Sequence, residues 1–294
     1  MNVNYEYYRI FYYVAKYRNF TRAANALRAS QPNVTRSISR LEQQLGCRLF
    51  VRSNRGVVLT PEGERLFAHI EIAQEHIRQG ENELAGNASL QSGSLSIGAS
   101  ETALNLFLLE KLKIFHERYP GIRLRIFNHS TPQAVAALEH GIADMAVVTT
   151  PLQVKKPLKT SDLMEFGEIL AGGKRFRALG ERVWSLKELE AHPLVMLGRD
   201  TMTYAFYEQL FLKYGAALQA DIEVATTDQL LPVIRADLGI GFLPRQMAGE
   251  ALEKGEIYPI PLRETIPSRF VTLVRDLRRP QSIAAKEFER MLQV

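Results

Sequence analysis

The chain has 294 residues, 46% of them apolar, and a formal net charge of +5 at pH 7; it exceeds the usual single-domain length and has apolar mass for two or three cores. No run of about 18 apolar residues occurs, which excludes a membrane-crossing helix, and the opening MNVNYEYYRI lacks the basic-then-apolar pattern of an export signal, so a cytoplasmic location is expected. The single cysteine, Cys47, excludes an internal disulfide or a thiolate cluster and reads as a small core residue.

The charge is unevenly spread. Residues 1–60 hold ten Lys or Arg against Glu6 and Glu42, a local balance of +8, whereas the other 234 residues carry 27 basic and 30 acidic groups, a balance of −3. Cations concentrated on one small module are what attraction to backbone phosphates requires.

In chain order, YEYYRIFYYVAKY at 5–17 predicts a helix with Tyr7, Ile10, Phe11 and Val14 on one face. A short second helix follows, with Thr21 placed to cap it and Ala23, Ala24 and Leu27 permitting close approach of a neighbour. Ser30 is placed to cap a third helix, Pro32 falls in its first turn, and Gly46 is the left-handed terminator. Within that third helix Val34, Ile38, Leu41 and Leu45 face inward, which turns Gln31, Asn33, Thr35, Arg36 and Ser39 outward. Two helices joined by a tight turn, the second with an amide-, hydroxyl- and guanidinium-bearing outer face, predict a helix-turn-helix whose second helix enters a major groove. Amides there can pair with adenine edges and guanidinium with guanine. Thr21, Arg22, Ser30, Pro32 and Arg40 complete the expected DNA face, and LFVRSNRGVVLT predicts a two-stranded wing bringing Arg52 and Arg55 near phosphates.

From Thr60 to Asn87 one long helix is expected, with Thr60 as cap, Pro61 first and Glu62 at the positive end of the dipole. Leu66, Ile70, Ala73, Ile77, Gly80 and Leu84 step by four and three residues, a stripe suited to pairing with a second copy. AGNASLQSGS predicts a hinge, placed at 88–93. From Leu95 onward LSIGA, IRLRIF, ADMAVV, GEIL, PLVML, DIEVA, GIGFLP and FVTLV alternate with amphipathic stretches, which predicts a doubly wound α/β unit large enough for two subdomains.

The first 63 residues resemble the DNA-binding module of LysR-type transcriptional regulators. The resemblance rests on Phe11, Val14, Phe20, Thr21, Ala23, Ala24, Leu27, Ser30, Gln31, Pro32, Val34, Ile38, Leu41, Glu42, Leu45, Gly46, Leu49, Phe50, Arg52, Leu59, Thr60 and Gly63. Asn19 and Thr35 depart from the family, which usually has Ser at the first and frequently at the second. SGSLSIGAS, FHERYPGIRLRI and LEHGIADMAVV look like the family's effector domain, which is similar to two-lobed periplasmic binding proteins. The resemblance implies a winged helix-turn-helix domain at 1–59, a dimerising linker helix at 60–87, and an effector domain with lobe I at 94–163 and 268–294 and lobe II at 164–267. It also implies a small-molecule effector between the lobes, and a homodimer of the kind that often pairs into a homotetramer. RNA polymerase is a further expected partner.

In open α/β sheets ligands bind beyond the carboxyl ends of strands, where helix N-termini offer free N–H groups. Ser100, Glu101, Thr102, Ser130, Thr131, Thr149, Thr150, Thr201 and Thr203 follow such strands, and hydroxyls beside helix-terminal amides suit a small carboxylate or other anion. Family resemblance adds that residues matching Ser100, Thr102, Thr149 and Thr201 commonly touch the effector. The same residue types also serve simply as helix caps. Arg199 and His129 are read as surface residues, and Thr226, Thr227 and Asp228 as a helix start.

The six histidines form no H-x-x-x-H or H-E-x-x-H pair, and no G-x-S-x-G, P-loop or complete G-x-G-x-x-G occurs, so neither catalysis, a metal nor a cofactor is expected. A ligand-responsive regulator is the leading reading; a solute-binding protein with an incidental basic module and an architectural DNA binder without effector are the alternatives.

Overall fold

The computed structural model describes residues 3–53, 56–84, 90–128 and 130–293, with backbone alone at a few positions, Arg52 and Leu84 among them. The chain divides into two compact units, Met1–Asn87 and Ala88–Val294.

The first unit runs α1 (Tyr5–Tyr17), α2 (Phe20–Ala26), α3 (Gln31–Leu45), a hairpin of β1 (Phe50–Ser53) and β2 (Gly56–Leu59), then α4 (Pro61–Leu84). Its core joins Ile10, Phe11 and Val14 of α1, Ala23 and Ala24 of α2, and Val34, Ile38 and Leu41 of α3, with half-buried Cys47 packed at the margin. The cap of α2 differs from expectation. The Asn19 side chain accepts from the Arg22 amide at 3.0 Å, so the helix starts at Phe20 and Thr21 lies inside its first turn. Ser30 does occupy the N-cap of α3, but its hydroxyl makes no capping bond, and Gly46 ends the helix at φ +70°. Buried Glu42 pins the wing: its carboxylate accepts from the amides of Leu49 and Phe50 at 2.8 and 3.2 Å and from Arg48 at 2.9 Å.

The Thr60 hydroxyl accepts from the Gly63 amide at 3.0 Å and donates to the Arg48 carbonyl at 2.7 Å, which fixes where α4 leaves the wing. A Cβ on Gly63 would meet the Leu49 carbonyl oxygen at 2.2 Å, so only glycine permits this approach. The stripe along α4 divides. Leu66 and Ile70 pack, with Phe67, against the core of their own module, while Ile77 stands 40% exposed. The Leu84 side chain lies outside the described residues.

The second unit holds two mixed five-stranded sheets rather than purely parallel ones. Lobe I contains β3 (Gly93–Ala99), α5 (Glu101–Ala103), a π-helical turn at Leu104–Leu108, α6 (Leu109–Arg118), β4 (Ile122–Asn128), α7 (Thr131–Glu139), β5 (Met145–Thr149) and β6 (Leu158–Phe166). Lobe II contains β7 (Glu168–Gly172), β8 (Leu194–Leu197), α8 (Met202–Lys213), β9 (Ile222–Val224), α9 (Thr227–Arg235), β10 (Ile240–Pro244), α10 (Arg245–Glu253) and β11 (Tyr258–Pro259). The chain then returns to lobe I as β12 (Arg269–Asp276) and α11 (Ile283–Leu292). Sheet orders are β4-β3-β5-β12-β6 and β11-β7-β10-β8-β9. Strand β3 is parallel to β4 and β5, whereas β12 is antiparallel to both β5 and β6. The buried apolar runs of β3, β5, β8 and β10 place them centrally.

One expectation needs correcting. Lobe I does not stop at residue 163, because β6 continues to Phe166, whose partner across the ladder is Arg269. This edge strand, LKTSDLMEF, is buried only at its two ends, Leu158 and Phe166, and is rich in polar residues between them, so it offers no apolar run to mark it.

Candidate functional site

In the first unit Gln31, Asn33, Arg36 and Ser39 stand exposed on one side of α3, with Thr35 half-buried among them. The Gln31 amide donates to the Thr35 hydroxyl at 3.1 Å, which orders the first turn of that face. Thr21, Arg22, Ser30 and Pro32 are exposed at its flank. Arg22, Arg28 and Arg36 make no ion pair among the described residues, so their charge stays directed at solvent. Arg40 is turned differently: its guanidinium donates to the Tyr7 hydroxyl of α1 at 3.3 Å. The Arg52 side chain and all of Arg55 lie outside the described residues, although the β1–β2 hairpin that carries them forms as expected.

In the second unit a cavity of about 560 Å³ opens between the two lobes. Seven of the eight hydroxyl residues singled out from the sequence line it, Ser100, Thr102, Ser130, Thr131 and Thr149 from lobe I and Thr201 and Thr203 from lobe II, whereas Thr150 is no part of the lining and accepts from the Phe270 amide at 2.9 Å. They converge because each belongs to a strand end or a helix start. Ser100, Ser130 and Thr201 are N-caps, and Thr149 is the last residue of β5. Thr203 lies inside the first turn of α8 rather than before it.

Sequence reasoning missed two features of this cavity. Thr226 and Thr227, read only as a helix start, also line it, and the Thr227 hydroxyl meets that of Thr102 across the lobes at 3.2 Å. The second is Arg269, the first residue of β12, whose side chain is 2% exposed. Its guanidinium donates to the Thr150 carbonyl at 2.6 Å and to Glu168 at 2.7 Å. Its remaining nitrogen reaches the hydroxyl of Thr149 at 3.2 Å and that of Thr203 at 3.1 Å. Phe166 and Phe206 flank it with ring centroids 5.5 and 5.1 Å away. This one side chain therefore ties lobe I to two elements of lobe II from directly behind the cavity wall.

Burial pushes the Glu168 carboxyl above the ordinary range, against the pull of Arg269, so this is a desolvated charge tolerated for its partner. Nothing in the local sequence SRFVTLV distinguishes Arg269 from a surface arginine; only its place opposite Phe166 and Glu168 does. Arg199, by contrast, lies over the Tyr204 ring at 5.9 Å and is no part of the lining, and His129 lies outside the described residues. No group of three or more His, Cys, Asp or Glu able to hold a metal occurs among the described residues. No described helix is long and apolar enough to cross a membrane.

Comparison with known proteins gives both units the same origin. Residues 5–64 match the model of the bacterial regulatory helix-turn-helix protein, lysR family, and residues 88–293 match the LysR substrate binding domain. The chain belongs to the LysR family of transcriptional regulators. It pairs a DNA-binding helix-turn-helix with an effector-binding domain, and LysR regulators are not enzymes. Similar curated proteins include the RuBisCO operon transcriptional regulator of Allochromatium vinosum, 27% identical over 82% of this chain and 79% of that one. The regulator YofA of Bacillus velezensis is 28% identical over 80% of this chain and 79% of its own. Full-length CbnR complexed with its target DNA shares the fold at a TM-score of 0.71 and 19% identity, covering 99% of each chain. A full-length OxyR variant from Pseudomonas aeruginosa follows at 0.64 and 20%, covering 100% of this chain and 94% of that one.

Proposed function

We propose that this LysR regulator reads a promoter element with the exposed face of α3 and that its grip is modulated by a small carboxylate or other anion held in the interlobe cavity. Gln31, Asn33, Thr35, Arg36 and Ser39 contact base edges. Thr21, Arg22, Ser30, Pro32, Arg40, Arg52 and Arg55 contact the backbone or support the face. Two copies, joined along α4 through Ala73, Ile77 and Leu84 with Leu66 and Ile70 bracing the stripe, bring two modules to half-sites about one helical turn apart.

The observation that carries the effector reading is the sharing of Arg269 between Thr149 and Thr203. Both hydroxyls accept from the guanidinium, and neither proton has an acceptor among the described residues. Each is thus free to donate into the cavity, from opposite lobes. A carboxylate accepting from both favours the lobe arrangement that brings them together, which is the differential affinity an allosteric ligand needs. The N-termini of α7, α8 and α9 add N–H groups at the same wall.

The test is a filter-binding titration against the DNA upstream of the protein's own coding region, with and without a panel of small carboxylates. Affinity should fall steeply with salt, and one class of carboxylate should change it in wild type but not in Thr149→Val. Salt-insensitive binding, or a Thr149→Val variant that responds as wild type does, would refute the reading.

A further inference from the structure

The cavity wall is charged in a way that a simple anion does not satisfy. Among the described residues its lining contains three carboxylates, Glu101, Asp200 and Glu223, and no Lys, Arg or His. Arg269 stands behind the wall, but Glu168 neutralises it. Asp200, in the turn before α8, and Glu223, in β9, fold over the same α-carbon: a Cβ on Gly198 would lie 2.8 Å from a carboxylate oxygen of Asp200 and 2.9 Å from one of Glu223. Both side chains are exposed to the cavity, and neither has a hydrogen bond or ion pair among the described residues. Two carboxylates that reach one point, with no counterion among the described residues, leave a place for a cation.

A second, independent feature points to the other end of the same ligand. Thr149 is 3% exposed, and its hydroxyl, already accepting from Arg269, has a proton with no acceptor among the described residues. Thr102 and Thr227, 5% and 8% exposed, share a single hydrogen bond that uses one of their two protons. Buried donors facing a cavity without acceptors are completed by a ligand that supplies oxygen lone pairs.

We infer that the effector is zwitterionic: it presents a carboxylate to the hydroxyls and helix N-termini and a protonated amine to Asp200 and Glu223. This inference rests on the reading of the cavity as the effector site. A dicarboxylate would place its second charge against the acidic pair, and a diamine would place an ammonium against donors. An amino carboxylate satisfies both.

The experiment is calorimetric titration of the full chain with three matched series of three to six carbons: α,ω-dicarboxylates, ω-amino carboxylates and α,ω-diamines. Amino carboxylates should bind tightest, and Asp200→Asn combined with Glu223→Gln should weaken them about tenfold, the strength of a charge-assisted hydrogen bond, while improving dicarboxylates. Both positions are exposed and without a hydrogen bond among the described residues, so without ligand this variant should unfold no earlier than wild type. Tighter binding of dicarboxylates or diamines, an unchanged preference in the double variant, or no binding of any series overturns the inference. Thr149→Val and Thr201→Val separate this from the underlying reading: if they leave the bound series unaffected, the ligand does not sit in the cavity. If they abolish binding while the acidic pair proves irrelevant, the cavity stands and the zwitterion falls.

Discussion

The two units use arginine in opposite ways. On the first unit Arg22, Arg28 and Arg36 stay exposed and unpaired among the described residues, whereas in the second Arg269 is almost wholly buried, ion-paired to Glu168 and boxed by two aromatic rings. Under the proposed function the contrast follows from what each charge would meet. A cation that meets a polyanion must keep its hydration and counterions until binding releases them, so an internal partner would compete with the target. A cation that organises a pocket must be fixed before the ligand arrives, so it needs a partner to offset desolvation and further acceptors to hold its geometry. Solvation gives the first set reach, and burial gives the second its rigidity.

The largest expected effect breaks the buried side of this contrast. Arg269→Met leaves Glu168 without its counterion and should destabilise the second unit by ~3–5 kcal/mol in urea unfolding. Adding Glu168→Met should recover most of that loss, since a well-packed apolar pair often replaces a buried ion pair at little cost. If the single variant were as stable as wild type, the pair would not be the bolt between lobes.

The same contrast explains what the sequence made legible. Exposed cations at helical spacing can be counted, and the inward positions Val34, Ile38 and Leu41 determine by subtraction which residues of α3 face out. The hydroxyls of the cavity were legible too, because strand ends and helix starts leave local signals at Ser100, Ser130 and Thr201. Arg269 was not, since its environment comes from residues about a hundred positions away, Glu168 and Phe166, on strands whose local pattern gives no hint of it. Asp200 and Glu223 were hidden for the same reason: only folding brings both to Gly198. At Thr21 the expectation fails because the side-chain amide of Asn19, two residues earlier, takes the cap in place of the hydroxyl.

On the exposed side, Arg36→Ala removes a cation with no internal role. It should leave thermal stability unchanged while weakening operator binding by ~1–3 kcal/mol, if the side chain pairs with a base. Arg40→Ala sharpens the point. Because Arg40 is partly held by Tyr7, it should cost less DNA affinity and, unlike Arg36, some stability of the module. Equal losses at the two positions would mean that α3 is read as a uniform basic rod rather than a face.

The smallest effect concerns a cluster intermediate between these extremes. Glu287 of α11 accepts from Arg290 at 2.8 and 3.0 Å and from the Tyr119 hydroxyl at 2.8 Å, on a partly exposed surface joining α11 to the end of α6. The bonds from Arg290 and Tyr119 hold its pKa down at about 2, from 4.5. A carboxylate depressed in the folded state contributes stability that is complete above its unfolded value and is lost as pH falls through the folded one. The difference in urea midpoint between wild type and Glu287→Gln should therefore be constant above pH 4.5 and shrink towards pH 2. Glu188, lowered to about 2 chiefly by the Ser185 amide, titrates in the same window, so the Gln variant should keep some acid sensitivity. A difference that grew on acidification would show the carboxylate to be strained in the fold, and would place Glu287 with the buried charge of Glu168 rather than between the two classes.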